Sequence, residues 1–168
     1  MQRLKHIRTL FKYVALFFIL NTAQASNSPL PSQNEFNDNM LLEAQTAFNQ
    51  GQHEKALRLW QSLAQQGHSG AQVLVGLAYM NAWGVLRNES MAEQWYLRAA
   101  DADNLSAQYL LGLLYIGRSD LEQAREGVRW LKRAADKGDL DAARFLNKAR
   151  KNRWLDHINP QLLSAHSR

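Results

Sequence analysis

Residues 71–79 read AQVLVGLAY and residues 107–115 read AQYLLGLLY, so Ala, Gln, Leu, Gly, Leu and Tyr return at equivalent places 36 residues apart. A second element keeps step with the first. Trp60, Trp95 and Trp130 follow one another at intervals of 35, and WYLRAAD from Trp95 is echoed by WLKRAAD from Trp130. WQSLAQQG from Trp60 is a looser relative. A third copy of the opening segment starts at Ala142 and keeps Leu146, but Asn147 and Arg150 stand where glycine and tyrosine stood. Several independent positions sharing one period identify an internal repeat.

The physics of the pattern is that of paired helices. Apolar and small residues recur at helical spacing, giving two amphipathic helices per unit. Gly76 and Gly112 each cost about 1 kcal/mol of helix propensity relative to alanine. Such a cost at equivalent positions points to close helix–helix approach, where no side chain fits. The tryptophans and tyrosines then fill the wider gaps between hairpins. One hairpin cannot bury its apolar face alone, whereas stacked hairpins can. The degenerate copy after Ala142 suits a terminal cap. The spacing predicts helices near 39–50, 53–66, 70–82, 89–102, 106–117, 120–137 and 140–153, with a short one after Pro160.

The arrangement A-x-x-x-(L/V)-G-x-x-Y, followed by W-x-x-x-A-A and a turn, resembles the Sel-one-like repeat (SLR), a tetratricopeptide-related α/α-hairpin of about 36 residues. The resemblance covers roughly residues 42–151, with two good units and partial units on both sides. AWGV at residues 82–85 is similar to the family's Gly-x-Gly-Val turn, with Ala82 replacing the first glycine. The second unit lacks that turn, Gly117 being its nearest remnant. EAQTAFNQGQHEKALRLW, residues 43–60, resembles the more general tetratricopeptide hairpin that opens such arrays. The resemblance implies an all-α solenoid, a right-handed superhelix of hairpins, and a scaffold or adaptor role. It implies no catalytic residue set.

The chain begins unlike a repeat. Arg3, Lys5, Arg8 and Lys12 precede the apolar run YVALFFIL at residues 13–20, and Ala23-Gln24-Ala25 follows. This order matches a secretory signal peptide over residues 1–25 with cleavage after Ala25. The run is shorter than the roughly 20 residues that span a bilayer, so no stable membrane span is expected once the signal is gone. Residues 26–38, rich in Ser, Asn and Pro, read as a flexible spacer, with Asp38 or Asn39 capping the first helix. The repeat domain is placed at 39–153 and a C-terminal cap or tail at 154–168. Export to the periplasm or the exterior is the expected destination.

The full chain carries 20 Lys+Arg against 15 Asp+Glu, a net charge of +5. Four of those cations lie in the leader, so the mature balance is nearly neutral and says little about partners. The charge is nevertheless uneven. Residues 26–124 hold 5 basic and 10 acidic side chains, while residues 125–168 hold 11 basic and 5 acidic. Such asymmetry suits either docking or an ordinary solvated face. Cysteine is absent, which removes disulfides, thiolate zinc sites and a cysteine nucleophile.

Candidate binding residues follow from the positions that the repeat pattern leaves over. Val73, Leu77 and Met80 form one i, i+4, i+7 stripe, Tyr109, Leu113 and Ile116 a second, and Arg144, Lys148 and Lys151 a basic third. Two apolar stripes read as a greasy groove with a basic end, able to accept an amphipathic helix or extended segment of an envelope or extracellular protein. The alternative is that tight superhelical curvature, or the N-terminal spacer folding back, buries these side chains. Trp83 and Trp154 are edge aromatics that serve either as interface anchors or as local packing. The run KARKNR (148–153) before Trp154 has the look of a nucleic-acid patch, but export removes that partner, and no nucleic acid is expected.

Catalysis has thin support. Asp156 and His157 are adjacent, but no motif places a nucleophile near them. His53 and His68 lie at hairpin turns, His157 and His166 make only a distant pair, and neither a metal nor a cofactor is implied. Asn88-Glu-Ser90 and Asn104-Leu-Ser106 match the glycosylation triplet. Three readings remain: a non-catalytic adaptor, a cell-envelope hydrolase using Asp156 and His157, and a self-associating structural module.

Overall fold

The structure, a computed structural model, describes residues 32–155. The expected signal peptide, Asp156, His157, Pro160 and His166 lie outside them. The chain falls into two compact units, Met1–Phe36 and Asn37–Arg168, and the repeat array belongs to the second. Seven helices are described: α1 (Gln33–Asn49), α2 (His53–Gln65), α3 (Ser69–Asn81), α4 (Glu89–Asp101), α5 (Leu105–Ile116), α6 (Leu121–Asp136) and α7 (Leu140–Lys151). No strand occurs among the described residues. Consecutive helices pair as α1/α2, α3/α4 and α5/α6, and α7 repeats the first helix of a hairpin. The array is an all-α hairpin solenoid.

Most boundaries agree with the periodicity to within a residue or two. The exception is α1, which starts at Gln33 and not near residue 39. Ser32 is the reason: its hydroxyl accepts from the Glu35 N–H at 3.2 Å, and its carbonyl accepts from the Phe36 N–H at 2.9 Å. A side-chain acceptor at this position satisfies donors that a helix start leaves unpaired.

The first helix of each later hairpin carries the same device. His68 Nδ1 accepts from the Ala71 N–H at 3.0 Å, Asn104 Oδ1 from the Ala107 N–H at 3.0 Å, and Asp139 Oδ1 from the Ala142 N–H at 2.8 Å. His68 is therefore a helix cap, one period before Asn104. Asn88 and Asp120 cap the second helices in the same way.

The turn before each of those caps needs positive φ. Gly67 (87°), Asp103 (58°) and Gly138 (99°) occupy equivalent places, and Asp103 is the one side chain tolerated there. Its carboxylate accepts from Arg133 Nη2 at 2.7 Å and Lys137 Nζ at 2.6 Å, tying the α4–α5 turn to the end of α6.

The two helical glycines do what their cost suggests. A Cβ on Gly76 would lie 2.6 Å from Tyr96 Cδ1, and one on Gly112 would lie 2.7 Å from Leu131 Cγ and 2.9 Å from the Gly127 carbonyl. No side chain fits at either crossing. Hairpins join through glutamine as well as through apolar contact. Gln72 Nε2 of α3 donates to the Ala64 carbonyl of α2, and Gln108 Nε2 of α5 donates to the Ala100 carbonyl of α4, both at 3.2 Å.

Candidate functional site

Two helices of adjacent hairpins frame an open recess of about 390 Å³. α3 supplies Leu77 and Met80, and α5 supplies Leu110, Leu113 and Leu114, all of them partly exposed. Tyr96 of α4 closes the floor at 2% exposure. Burial pushes its hydroxyl pKa up, so the ring stays neutral. Glu89 and Asn81 sit at the rim.

Beside Glu89 lies an ion-pair network that braces α4 against the end of α5. Arg118 reaches Glu93 at 2.5 Å and Glu89 at 3.7 Å, and the Tyr115 hydroxyl donates to Glu93 Oε1 at 2.6 Å. Burial alone raises the Glu93 pKa, but hydrogen bonds from Arg118 and Tyr115 outweigh it and hold the carboxyl below the usual range. The same burial and the bond to Glu93 push the Tyr115 hydroxyl up to about 12.

The recess brings together only part of the two apolar stripes. Leu77, Met80 and Leu113 line it. Val73 is 8% exposed and lies within the α3/α4/α5 core with Ala92, Tyr96 and Leu111, where it is shut off from any partner. Tyr109 packs on Leu131, Ala134 and Ala142, and Ile116 packs on Ala124, Val128 and Leu131. The stripe that α5 turns to the recess is therefore Leu110, Leu113, Leu114 and Gly117, one residue round from the trio chosen by spacing. Gly127 held the signal: a glycine inside α6 marks a close crossing, and a Cβ there would meet the Ile116 backbone nitrogen at 2.9 Å.

Val73 and Tyr109 thus belong to the joint between one hairpin and the next. Arg144, Lys148 and Lys151 stand at the equivalent places on α7 and are exposed, with nothing stacked on them among the described residues. Arg144 bonds within its own helix, to Asp141 at 2.7 Å and to the Leu140 carbonyl at 3.3 Å. The basic trio does not reach the recess.

The edge aromatics are spoken for. Trp83 meets Phe48 of α1 edge-on at 4.8 Å, and Trp154 meets Phe145 of α7 at 6.2 Å. Asn104, whose side chain caps α5, also donates to Ser69 Oγ at 3.3 Å. Among the described residues no three His, Asp or Glu side chains converge, and no helix is long and apolar enough to cross a membrane.

The fold has solved relatives. Over 65% of this chain and 45% of the other, it superimposes on the crystal structure of a Sel1 repeat protein from Oxalobacter formigenes with a TM-score of 0.59 and 29% identity. A protective antigen of uropathogenic Escherichia coli strains, which displays an SLR fold, matches with a TM-score of 0.59 and 28% identity, over 67% of this chain and 25% of that one. The chain thus spans less than half the length of either relative. The Sel1 repeat family model matches residues 50–68, 69–104 and 105–139, the segments that hold α2, the α3/α4 hairpin and the α5/α6 hairpin. The chain belongs to the Sel1 repeat family, whose members generally serve as scaffolds for protein–protein interaction.

Proposed function

We propose that the chain is an exported, non-catalytic adaptor that holds an envelope or extracellular protein by inserting that partner's apolar side chains into the α3/α5 recess. The observation that carries this reading is the recess itself. Leu77, Met80, Leu110, Leu113 and Leu114 form one continuous half-exposed patch on two rigid helices, floored by a buried ring. Apolar side chains clustered in a concave, water-facing setting favour a partner that covers them. The cationic leader, its short apolar run and Ala23-Gln24-Ala25 support export. The Sel1 repeat architecture suits an adaptor.

A photo-crosslinking residue at Met80, introduced into intact cells, tests this directly. The expected product is a discrete covalent adduct that disappears in the Leu77→Asp/Leu113→Asp variant while far-UV circular dichroism keeps its helical form. An adduct that persists in a folded double variant would refute the recess as the binding surface.

A further inference from the structure

The α3/α5 recess is uneven in charge, and the charge narrows what it can hold. Among the side chains that line it, only Glu89 is ionised. Asn81 ends α3 and Gly117 caps α5, and Arg118, next to Gly117, reaches Glu89 at 3.7 Å. The carboxylate therefore stands at the end of the recess where both first helices finish. Leu77 and Leu110 lie about one and about two turns back along those helices.

That end is negative. The last carbonyls of α3 and α5 give the partial negative charge of a helix C-terminus. Neither helix has a basic residue in its last turn, whereas α4, α6 and α7 do. Two cations stand near Glu89, and both keep their distance. Arg118 spends its close contact on Glu93, at 2.5 Å, and Arg87 lies 4.0 Å away on the solvent side. The start of α4 adds little positive charge, because Asn88 caps it by accepting from the Met91 N–H at 3.0 Å. Glu89 is left 45% exposed at the rim. The wider field has the same sign: residues 26–124, which carry the recess, hold 5 basic and 10 acidic side chains. Such a surface draws in a cationic segment and repels an acidic one.

We infer that the segment held by the recess is basic and amphipathic. Its apolar side chains meet Leu77, Leu110 and Leu113, and a lysine or arginine one to two helical turns away pairs with Glu89. This rests on the recess being the binding surface proposed above. The spacing is that of the recess itself, since Leu77 to Asn81 and Leu110 to Gly117 span about 6 and about 10 Å of helix rise. The apolar contacts supply most of the affinity, and the ion pair selects among partners and sets their direction along the recess.

Mass spectrometry of the peptides joined through the Met80 crosslinker identifies the segment, and a fluorescent synthetic copy of it is then titrated against the purified chain by anisotropy. Kd is expected to rise about two- to fivefold in Glu89→Gln and about tenfold or more in Glu89→Lys. Asp101→Lys, the same change in net charge on an exposed residue at the far end of α4, should leave it unaltered. Exchanging the peptide's cation for glutamate should weaken binding to the parent and restore binding to Glu89→Lys. If Glu89→Lys folds poorly, Glu89→Gln against the two peptides decides. An adduct that needs Leu77 and Leu113 but joins an acidic segment overturns the inference and spares the recess, as does a Kd indifferent to both changes at Glu89. A joined peptide from a second copy of this chain also overturns it. An adduct that persists in folded Leu77→Asp/Leu113→Asp, or the lack of any adduct, removes the recess as the binding surface and the inference with it.

Discussion

Replacing Gly76 with alanine sets two opposed effects against each other, and the structure decides which wins. Helix propensity alone favours alanine by about 1 kcal/mol at an interior position. The new methyl, however, would stand 2.6 Å from Tyr96 Cδ1, where ordinary contact begins at 3.4 Å. Tyr96 cannot simply withdraw, since it is 2% exposed and wedged among Val73, Ala92, Ala99, Ala100 and Leu111. Relief must come from moving the ring or parting α3 from α4, and overpacking of this kind costs about 1–3 kcal/mol. Net destabilisation of up to about 2 kcal/mol is expected for Gly76→Ala once the propensity gain of about 1 kcal/mol is subtracted. Gly117→Ala is the control, because Gly117 has φ −70° and its nearest neighbours are carbonyl oxygens at 3.5 Å. It should be neutral or stabilising by up to about 1 kcal/mol. Urea titrations followed by far-UV circular dichroism measure both, with an unchanged slope showing that stability alone has shifted. If Gly76→Ala proves as benign as Gly117→Ala, the tight α3/α4 crossing is wrong and the repeat glycine has some other cause.

Two further outcomes follow from the geometry. Ala82 terminates α3 with φ 58°, a left-handed conformation that costs an L residue about 1–2 kcal/mol. Ala82→Gly should therefore stabilise by about 0.5–1 kcal/mol after the extra freedom of the unfolded glycine is discounted, read as a rise in the urea midpoint. The Glu93 pKa is lowered on folding, so its contribution is present above the ordinary carboxyl pKa of 4.5 and is lost as pH falls through the lower folded value. Stability measured between neutral pH and pH about 3 should drop less steeply in Glu93→Gln than in the parent; identical profiles would show that Arg118 and Tyr115 do not favour the ionised carboxylate.

The fold could be read from the sequence because its determinants are local and repeated. Glycine at two equivalent helix positions, tryptophan at three, and a polar cap before each first helix all report the environment of a single residue. The start of α1 was harder, since Ser32, Asp38 and Asn39 are all chemically able to cap and only the structure shows that Ser32 does. The recess was half legible. Spacing correctly groups residues on one face of one helix, but it cannot say which neighbour that face meets. Val73 and Tyr109 fit a groove or a buried face equally well on a helix taken alone; their positions are where the next hairpin stacks. The one-residue rotation on α5 has the same origin: α6 draws Ile116 inward through Gly127, and Leu110 and Leu114 take the outward place.

The glutamine bonds carry a consequence for how the array comes apart. Gln72 and Gln108 each reach back to a carbonyl near the end of the preceding helix, which fixes the angle of those two elbows with a directional contact as well as with grease. At the corresponding place α7 has Ala143, which has no amide to offer, and only Ala142 and Ala149 of that helix are buried. The final elbow is thus a hinge without a latch, and amide exchange under mild denaturant should begin there and travel toward α1.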